Sequence, residues 1–503
     1  MSKAKRIAII GGGFGGLSAA ISLRSRGFEV DLYEMTATLG GKAGTRNLGN
    51  YRFDTGPSLL TLPQVFDRLF SKAGKRREDY VEFMPLDPIT NYWFSDGSRL
   101  AGRPLPFLID ELEKSLGVPR QESERFFSYA EDIHTLTTPV FLERSLHEFS
   151  TWVSKPAFKA YSQIHKVDIF RTMYSSLSSF FSSTKAIQLF SRFATYNGSD
   201  PYQAPATLNT IAYVEYGLGG FGVKGGIFAL TKALEKLCTD IGVIIRRNTK
   251  VESIELDKSD RIQGVLIRPL GQDTSSIPYD AVVSDLDILT LYEHILKKPK
   301  DSAPIRFKKL PPSTSGLVFY WGMNKSYPDL GVNNIFFSQD YQKEFFQIHH
   351  EQRLPDDPTV YVNITSKISP EDAPPGGENW FVLVNAPPDG GQNWQEIAKY
   401  YRKKVIKILE ASLGVDVEKA IEVEEILDPK SIMENTGSWR GSLYGISSNT
   451  KAAAFLRPSN RVKKYPGLYT VGGSVHPGGG MPLVTLSGMI AAELLEKYEG
   501  SVE

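Results

Sequence analysis

Three glycines, Gly11, Gly13 and Gly16, fall at G-x-G-x-x-G spacing directly behind the apolar run 7–10, and Glu34 follows about 20 residues further on. The chemistry open to such a set is the holding of a dinucleotide. The first glycine permits a tight turn, the second lets backbone approach a pyrophosphate, and the third lets a helix lie close to a strand. The helix start presents free N–H groups and about half a positive charge to the phosphates. The Glu34 carboxylate can accept hydrogen bonds from an adenosine ribose. Phe14 and Gly15 belong to the same motif.

The elements that must position these residues show in the pattern of side chains. Residues 7–10 are apolar and largely β-branched, as in a strand buried on both faces of a parallel sheet. Leu17, Ala20, Ile21 and Arg24 recur at helical intervals up to Gly27, which predicts a helix over 17–26. Residues 28–33 predict a second strand that ends on Glu34. A lone glycine pattern also occurs in ordinary turns. Here strand, helix, second strand and acid stand in register around it.

Two further glycine-bearing loops follow, 39–45 with Gly41 and Lys42, and 53–58 with Gly56, Pro57 and Ser58. Either alone would read as a surface turn; together they suggest backbone lying along an extended cofactor. A second informative stretch is 466–488. Residues 468–471 predict a buried strand, Gly472 and Gly473 let backbone approach a phosphate, and a helix starts near Pro482, whose fixed φ suits a first turn. Met481, Leu483, Val484 and Thr485 complete that helix start. A fold serving NAD has no need of such a closing segment, whereas a flavin that turns anionic on reduction gains from one.

Between these ends, Asp96 and Gly97 mark the turn of a hairpin over 91–100. Residues 107–216 read as helical and are dense in Phe, Tyr and Trp. An aromatic stripe at helical spacing packs a core; this density also suits a long apolar ligand or a bilayer surface. A helix is expected over 227–240, strands over 242–246, 251–256, 264–268 and 279–285, a mostly antiparallel sheet between 313 and 387, and an amphipathic helix over 394–413.

At 503 residues the chain has room for two or three domains. Lys plus Arg (58) nearly cancels Asp plus Glu (57), so no global field would hold nucleic acid. Basic clusters at 72–77 and 297–309 read as solvated faces, or as contacts to an anionic membrane surface. The single cysteine, Cys238, excludes an internal disulfide, fits a reducing compartment and falls on an apolar helix face. No metal-site spacing is present. Residues 1–6 show no secretory signal, and no segment has the 18 or so apolar residues of a spanning helix. The expectation is a cytoplasmic protein that meets a membrane, if at all, from one side.

The glycine motif with Glu34 and the Gly-Gly-Lys at 40–42, paired with Gly-Leu-Tyr-x-Val-Gly-Gly and His-Pro-Gly-Gly-Gly-x-Pro near the other end, resembles the bacterial-type phytoene desaturase family of carotenoid oxidoreductases. The likeness extends to 53–58, to 223–226 and to 281–285, and is greatest to the 1-hydroxycarotenoid 3,4-desaturases. It implies an α/β fold: a discontinuous Rossmann-like FAD-binding domain (1–75, 217–295, 455–503), an inserted mixed or antiparallel-sheet substrate domain (76–106, 296–454), and a helical, membrane-contacting subdomain (107–216). It places Gly11, Gly13 and Gly16 at the pyrophosphate, Glu34 at the ribose and Lys42 close to the cofactor. Val251 would meet adenine through its backbone, residues 56–58 and 481–485 would border the flavin, and Asp285 would belong to the same site.

The implied function is FAD-dependent desaturation of an acyclic carotenoid, 1-hydroxylated or not, with hydride passing to flavin N5, a proton lost, and oxygen or a quinone as electron acceptor. A carotenoid isomerase or saturase, an amine-oxidase-like flavoenzyme and a non-enzymatic prenyl-binding protein are the alternatives. No base is assigned. His476 and Glu215 lie near motif segments, with a surface or packing role as the other reading.

Overall fold

A computed structural model describes residues 4–450 and 457–500. The segment boundary expected at 455 lies outside them, as do residues 1–3 and 501–503.

Five short parallel strands form the sheet that carries the glycine motif, in the order Leu468–Thr470, Ala281–Ser284, Arg6–Ile10, Glu29–Tyr33, Ile244–Arg246. Alternation along the central strand explains why it reads as continuously apolar. Ile7 and Ile9 pack against the helices Phe14–Arg24, Ile227–Asp240 and Met481–Glu499. Ala8 and Ile10 face the other way, toward a three-stranded antiparallel sheet, Thr249–Leu256, Ile262–Pro269 and Ser275–Pro278. Cys238 is buried in the first of these cores. The first helix begins at Phe14, earlier than its apolar period suggests, because Gly15 and Gly16 are helical despite their low propensity.

A seven-stranded sheet stands apart from this one, ordered Ile421–Leu427, Ser315–Met323, Glu378–Ala386, Val360–Ile364, Asn333–Phe336, Thr90–Trp93, Arg99–Gly102. It is antiparallel except where Asn333–Phe336 runs parallel to Thr90–Trp93, the first strand of the expected hairpin. Its two faces have different partners. Leu317, Phe319, Trp321, Trp380, Val382 and Val362 pack on the helix Trp394–Leu413. The alternate residues Val318, Tyr320, Phe381, Leu383 and Tyr361 face a large cavity.

The helical stretch caps that cavity. Its longest members are Phe107–Leu116 and Arg120–Thr137. Most of its aromatic residues are core: Phe126, Phe127, Phe181, Phe190 and Phe193 are buried together, with Phe126 and Phe190 ring centroids 4.6 Å apart. A subset is not. Phe149, Phe158 and Phe170 are 80%, 60% and 76% exposed, and Tyr161 and Ile164 beside them are also exposed. No helix among the described residues is long and apolar enough to cross a membrane.

Candidate active site

The turn after the first strand is built on close contact. Gly11 takes φ +97°, an angle that L side chains rarely adopt, and its N–H donates to the Tyr33 carbonyl at 2.9 Å. A Cβ on Gly16 would stand 2.0 Å from the Gly11 carbonyl oxygen, so only glycine lets the helix start rest on the turn. Gly13 is the helix N-cap and brings no side chain of its own to the helix start. Glu34 is held at the end of the second strand by the Gly12 N–H at 2.9 Å and by the N–H and hydroxyl of Thr36 at 2.9 and 2.8 Å.

The structure brings most of the expected site residues onto one cavity of ≈ 1640 Å³. Gly11, Gly13, Phe14, Glu34, Gly41 and Lys42 line one part of it, with Val251 and Asp285. Gly56, Pro57, Ser58 and Gly473 line it further along, where Met481, Pro482, Leu483 and Val484 begin the last helix. Four residues stand behind the wall. Gly15, Gly16 and Gly472 support the turn around Asp285, and the Thr485 hydroxyl bonds to the Met481 carbonyl at 2.9 Å.

Buried charge marks this wall. Burial pushes the Lys42 ammonium down to about 8, against the opposing pull of Asp287 and Asp285. Its Nζ donates to the Ser442 and Leu443 carbonyls at 3.1 and 2.9 Å. Burial pushes the Asp285 carboxyl up to about 7, although the Gly16 and Gly13 N–H groups favour its charged form.

His476 and Glu215 are not surface residues. His476 is buried on the cavity wall, its Nε2–H donating to the Arg144 carbonyl at 2.7 Å, and burial drives its ring down to about 4, so it is neutral at pH 7. Glu215 is fully buried and paired with Arg192 and Tyr196. Arg192 and Tyr196 line the cavity, as do Asn333 and Tyr361. None of these four belongs to a motif. Nothing in the sequence marks them: Arg192 stands among Gln188, Ser191 and Thr195 as well as aromatic residues.

The donor set suits a flavin dinucleotide. Two helix starts whose N-cap residues, Gly13 and Gly480, bring no side chain border the same cavity, and at the first the Asp285 carboxylate already accepts from the Gly13 and Gly16 N–H groups. The volume also exceeds the range of about 300–1,000 Å³ usual for one small-molecule site, which leaves room for a second ligand. The same cavity is lined by the sheet face and by Trp152, Tyr161, Ile164 and Phe170.

Comparison with known proteins agrees with this geometry. The model of the flavin-containing amine oxidoreductase family matches residues 14–495. The chain is 39% identical to a 1-hydroxycarotenoid 3,4-desaturase of Flavobacterium sp. (strain P99-3), over 98% of this chain and 99% of the relative. It is 33% identical to a 4,4'-diapolycopene oxygenase of Methylomonas sp, over 97% of each chain. Among solved structures, putrescine oxidase bound to putrescine superposes with a TM-score of 0.63, covering 98% of this chain and 99% of the other at 13% identity. An oxidoreductase from Methanosarcina mazei gives 0.62 over 97% and 100%, at 15% identity. At such identities these two structures speak for the fold alone.

Proposed function

Because the chain belongs to the flavin-containing amine oxidoreductase family, on its carotenoid-oxidoreductase branch, it is an FAD-dependent oxidoreductase, and we propose that it desaturates an acyclic, 1-hydroxylated carotenoid. The observation that carries this reading is the continuity of the cavity from the glycine turn, past the two helix starts, to an apolar wall and an exposed aromatic mouth. A rigid polyene needs such a channel; a small amine does not.

In this reading the turn of Gly11, Gly13 and Gly16 stands at the pyrophosphate, with Gly15 and Gly16 supporting it from behind the wall, and Glu34 meets the adenosine ribose. The Val251 backbone meets adenine, and Gly41, Lys42 and Asp285 stand close to the cofactor. Residues 56–58 and 481–485 border the flavin, with Gly472 and Gly473 allowing close approach. When bound, FAD supplies the acceptor for a hydride from a saturated carbon beside the polyene, loss of a neighbouring proton completing the double bond. The side chains of the apolar wall exclude water and align the chain. Ring faces of Tyr320, Tyr361 and Phe381 on that wall favour positive charge developing on the polyene. Oxygen or a quinone is the terminal electron acceptor.

Phe149, Phe158 and Phe170 dip into one leaflet of a membrane, so the protein is peripheral, on the cytoplasmic side, and draws its substrate from lipid. The expected division into an FAD domain, an inserted substrate domain and a helical subdomain is retained as part of this proposal.

The test is anaerobic. FAD-loaded protein is mixed with liposomes carrying acyclic or 1-hydroxylated carotenoids, and the flavin absorbance is followed. Bleaching matched by a polyene absorbing at longer wavelength is expected. An oxygenated product formed only in air would point to the chemistry named for the oxygenase relatives. No bleaching with any carotenoid would overturn the proposal.

A further inference from the structure

We propose that Arg192 and Tyr196, backed by Glu215, form a polar subsite that seats the hydroxyl oxygen of the substrate polyene close to the bond that is oxidised. The identity of the polyene rests on the functional reading above; the subsite rests on the following geometry.

Arg192 is 5% exposed and Glu215 0%. An Nη2–H of Arg192 donates to Glu215 Oε1, and the Tyr196 hydroxyl donates to Glu215 Oε2. Tyr196 in turn accepts from Arg192 Nη1 at 3.3 Å. Both carboxylate oxygens are thus engaged, while these bonds use only two of the five N–H donors of the guanidinium. The guanidinium lies between rings, 4.2 Å from the Phe193 centroid and 5.3 Å from that of Tyr92. Arg192 and Tyr196 face the cavity, and Glu215 stands behind them.

A buried ion pair is costly to desolvate, and hydrocarbon side chains of similar volume pack as well or better. In the wall of a channel for a pure hydrocarbon, this cluster would only leave donors unpaired. An oxygen on the ligand gives those donors a partner. A hydroxyl fits better than a carboxylate, because Glu215 already neutralises the cation.

The position fits as well. Ser58, in the loop expected to border the flavin, bonds to the Tyr361 hydroxyl at 2.5 Å, and Tyr361 donates to Asn333 Oδ1 at 2.7 Å. Arg192 and Glu215 both act electrostatically on Tyr361. The cluster therefore stands near the flavin-bordering loop. In a 1-hydroxylated chain oxidised between C3 and C4, the oxygen-bearing carbon is two bonds from the reacting carbon. One anchored oxygen would set the register of the whole polyene.

The experiment measures binding without turnover. Holoenzyme with its flavin reduced by dithionite is titrated with two polyenes that differ only by the tertiary hydroxyl, and the polyene absorbance is followed. The wild type is expected to favour the hydroxylated chain by about tenfold or more. In Arg192→Leu/Glu215→Leu, which removes both charges together, the preference is expected to vanish while the affinity for the hydrocarbon holds. Arg192→Met/Glu215→Met serves if that variant does not fold, with the same expectation. A wild type that does not discriminate, or a folded variant that keeps the preference, overturns the subsite. Turnover separates the two ideas. Preferential binding that depends on these residues, without desaturation on reoxidation, would sink the desaturase reading alone. Desaturation with the preference untouched by the variants would sink the subsite alone.

Discussion

At the scale of single residues, the cofactor site depends on atoms that are absent. Gly16 has no Cβ because the Gly11 carbonyl would be 2.0 Å from it. In Gly16→Ala the helix start must move off the turn, and overpacking of this kind costs about 1–3 kcal/mol. If the N–H groups of that turn hold the pyrophosphate, FAD affinity falls by roughly tenfold to a hundredfold, since about 1.4 kcal/mol is a factor of ten. Flavin fluorescence released on dilution measures it. Unchanged FAD retention would remove the glycine turn from the cofactor site. The turn itself was legible in the sequence because each residue type answers to a backbone requirement. Arg192 and Glu215 were not, because 23 residues separate them and only the turn of Thr210–Tyr216 against the 3₁₀ segment Arg192–Asn197 brings them together.

At the scale of elements, the exposed aromatic residues belong to the short helices Phe149–Trp152 and Lys155–Ser162 and to the segment after them. Replacing Phe149, Phe158 and Phe170 by serine should leave the core intact, as all three are more than half exposed. Each ring would give up apolar contact with lipid worth about 25 cal/mol per Å² buried. Co-sedimentation with liposomes should therefore fall at least tenfold, while the thermal midpoint hardly changes. Equal sedimentation of both proteins would take the membrane away from this face. Element type was largely readable from period: Ile227–Asp240 and Trp394–Leu413 lie where their apolar spacing puts them, and the Asp96-Gly97 hairpin forms. Sheet membership was not. The hairpin joins Asn333–Phe336 across a long stretch of chain, and nothing in strand alternation specifies a partner.

At the scale of the whole molecule, buried titratable groups set the response to pH. Glu344 is buried, its carboxyl pushed up to about 7 despite hydrogen bonds from Ser338 and Thr359. The folded state then holds a proton that the unfolded chain releases. Its contribution is present below about pH 4.5 and is lost as pH rises through 7. His476 has the opposite sign: its ring, driven down to about 4, loses stability for the fold as pH falls from about 6.5 to 4. In Glu344→Gln the unfolding free energy from urea titration should gain on the wild type as pH rises from 4.5 to 7, by up to about 3 kcal/mol. A constant difference across that window would contradict the assignment. The order of the parallel sheet bears on how the protein is made. Leu468–Thr470 completes the sheet beside Ala281–Ser284, and Met481–Glu499 crosses Phe14–Arg24 so closely that a Cβ on Gly488 would meet the Gly15 carbonyl at 2.6 Å. On the ribosome, the glycine turn emerges early but its covering helix emerges late. The aromatic segment near 149–170 leaves the exit tunnel long before that helix does. If that segment enters lipid as proposed, a nascent chain meets the membrane before it has a place for its cofactor.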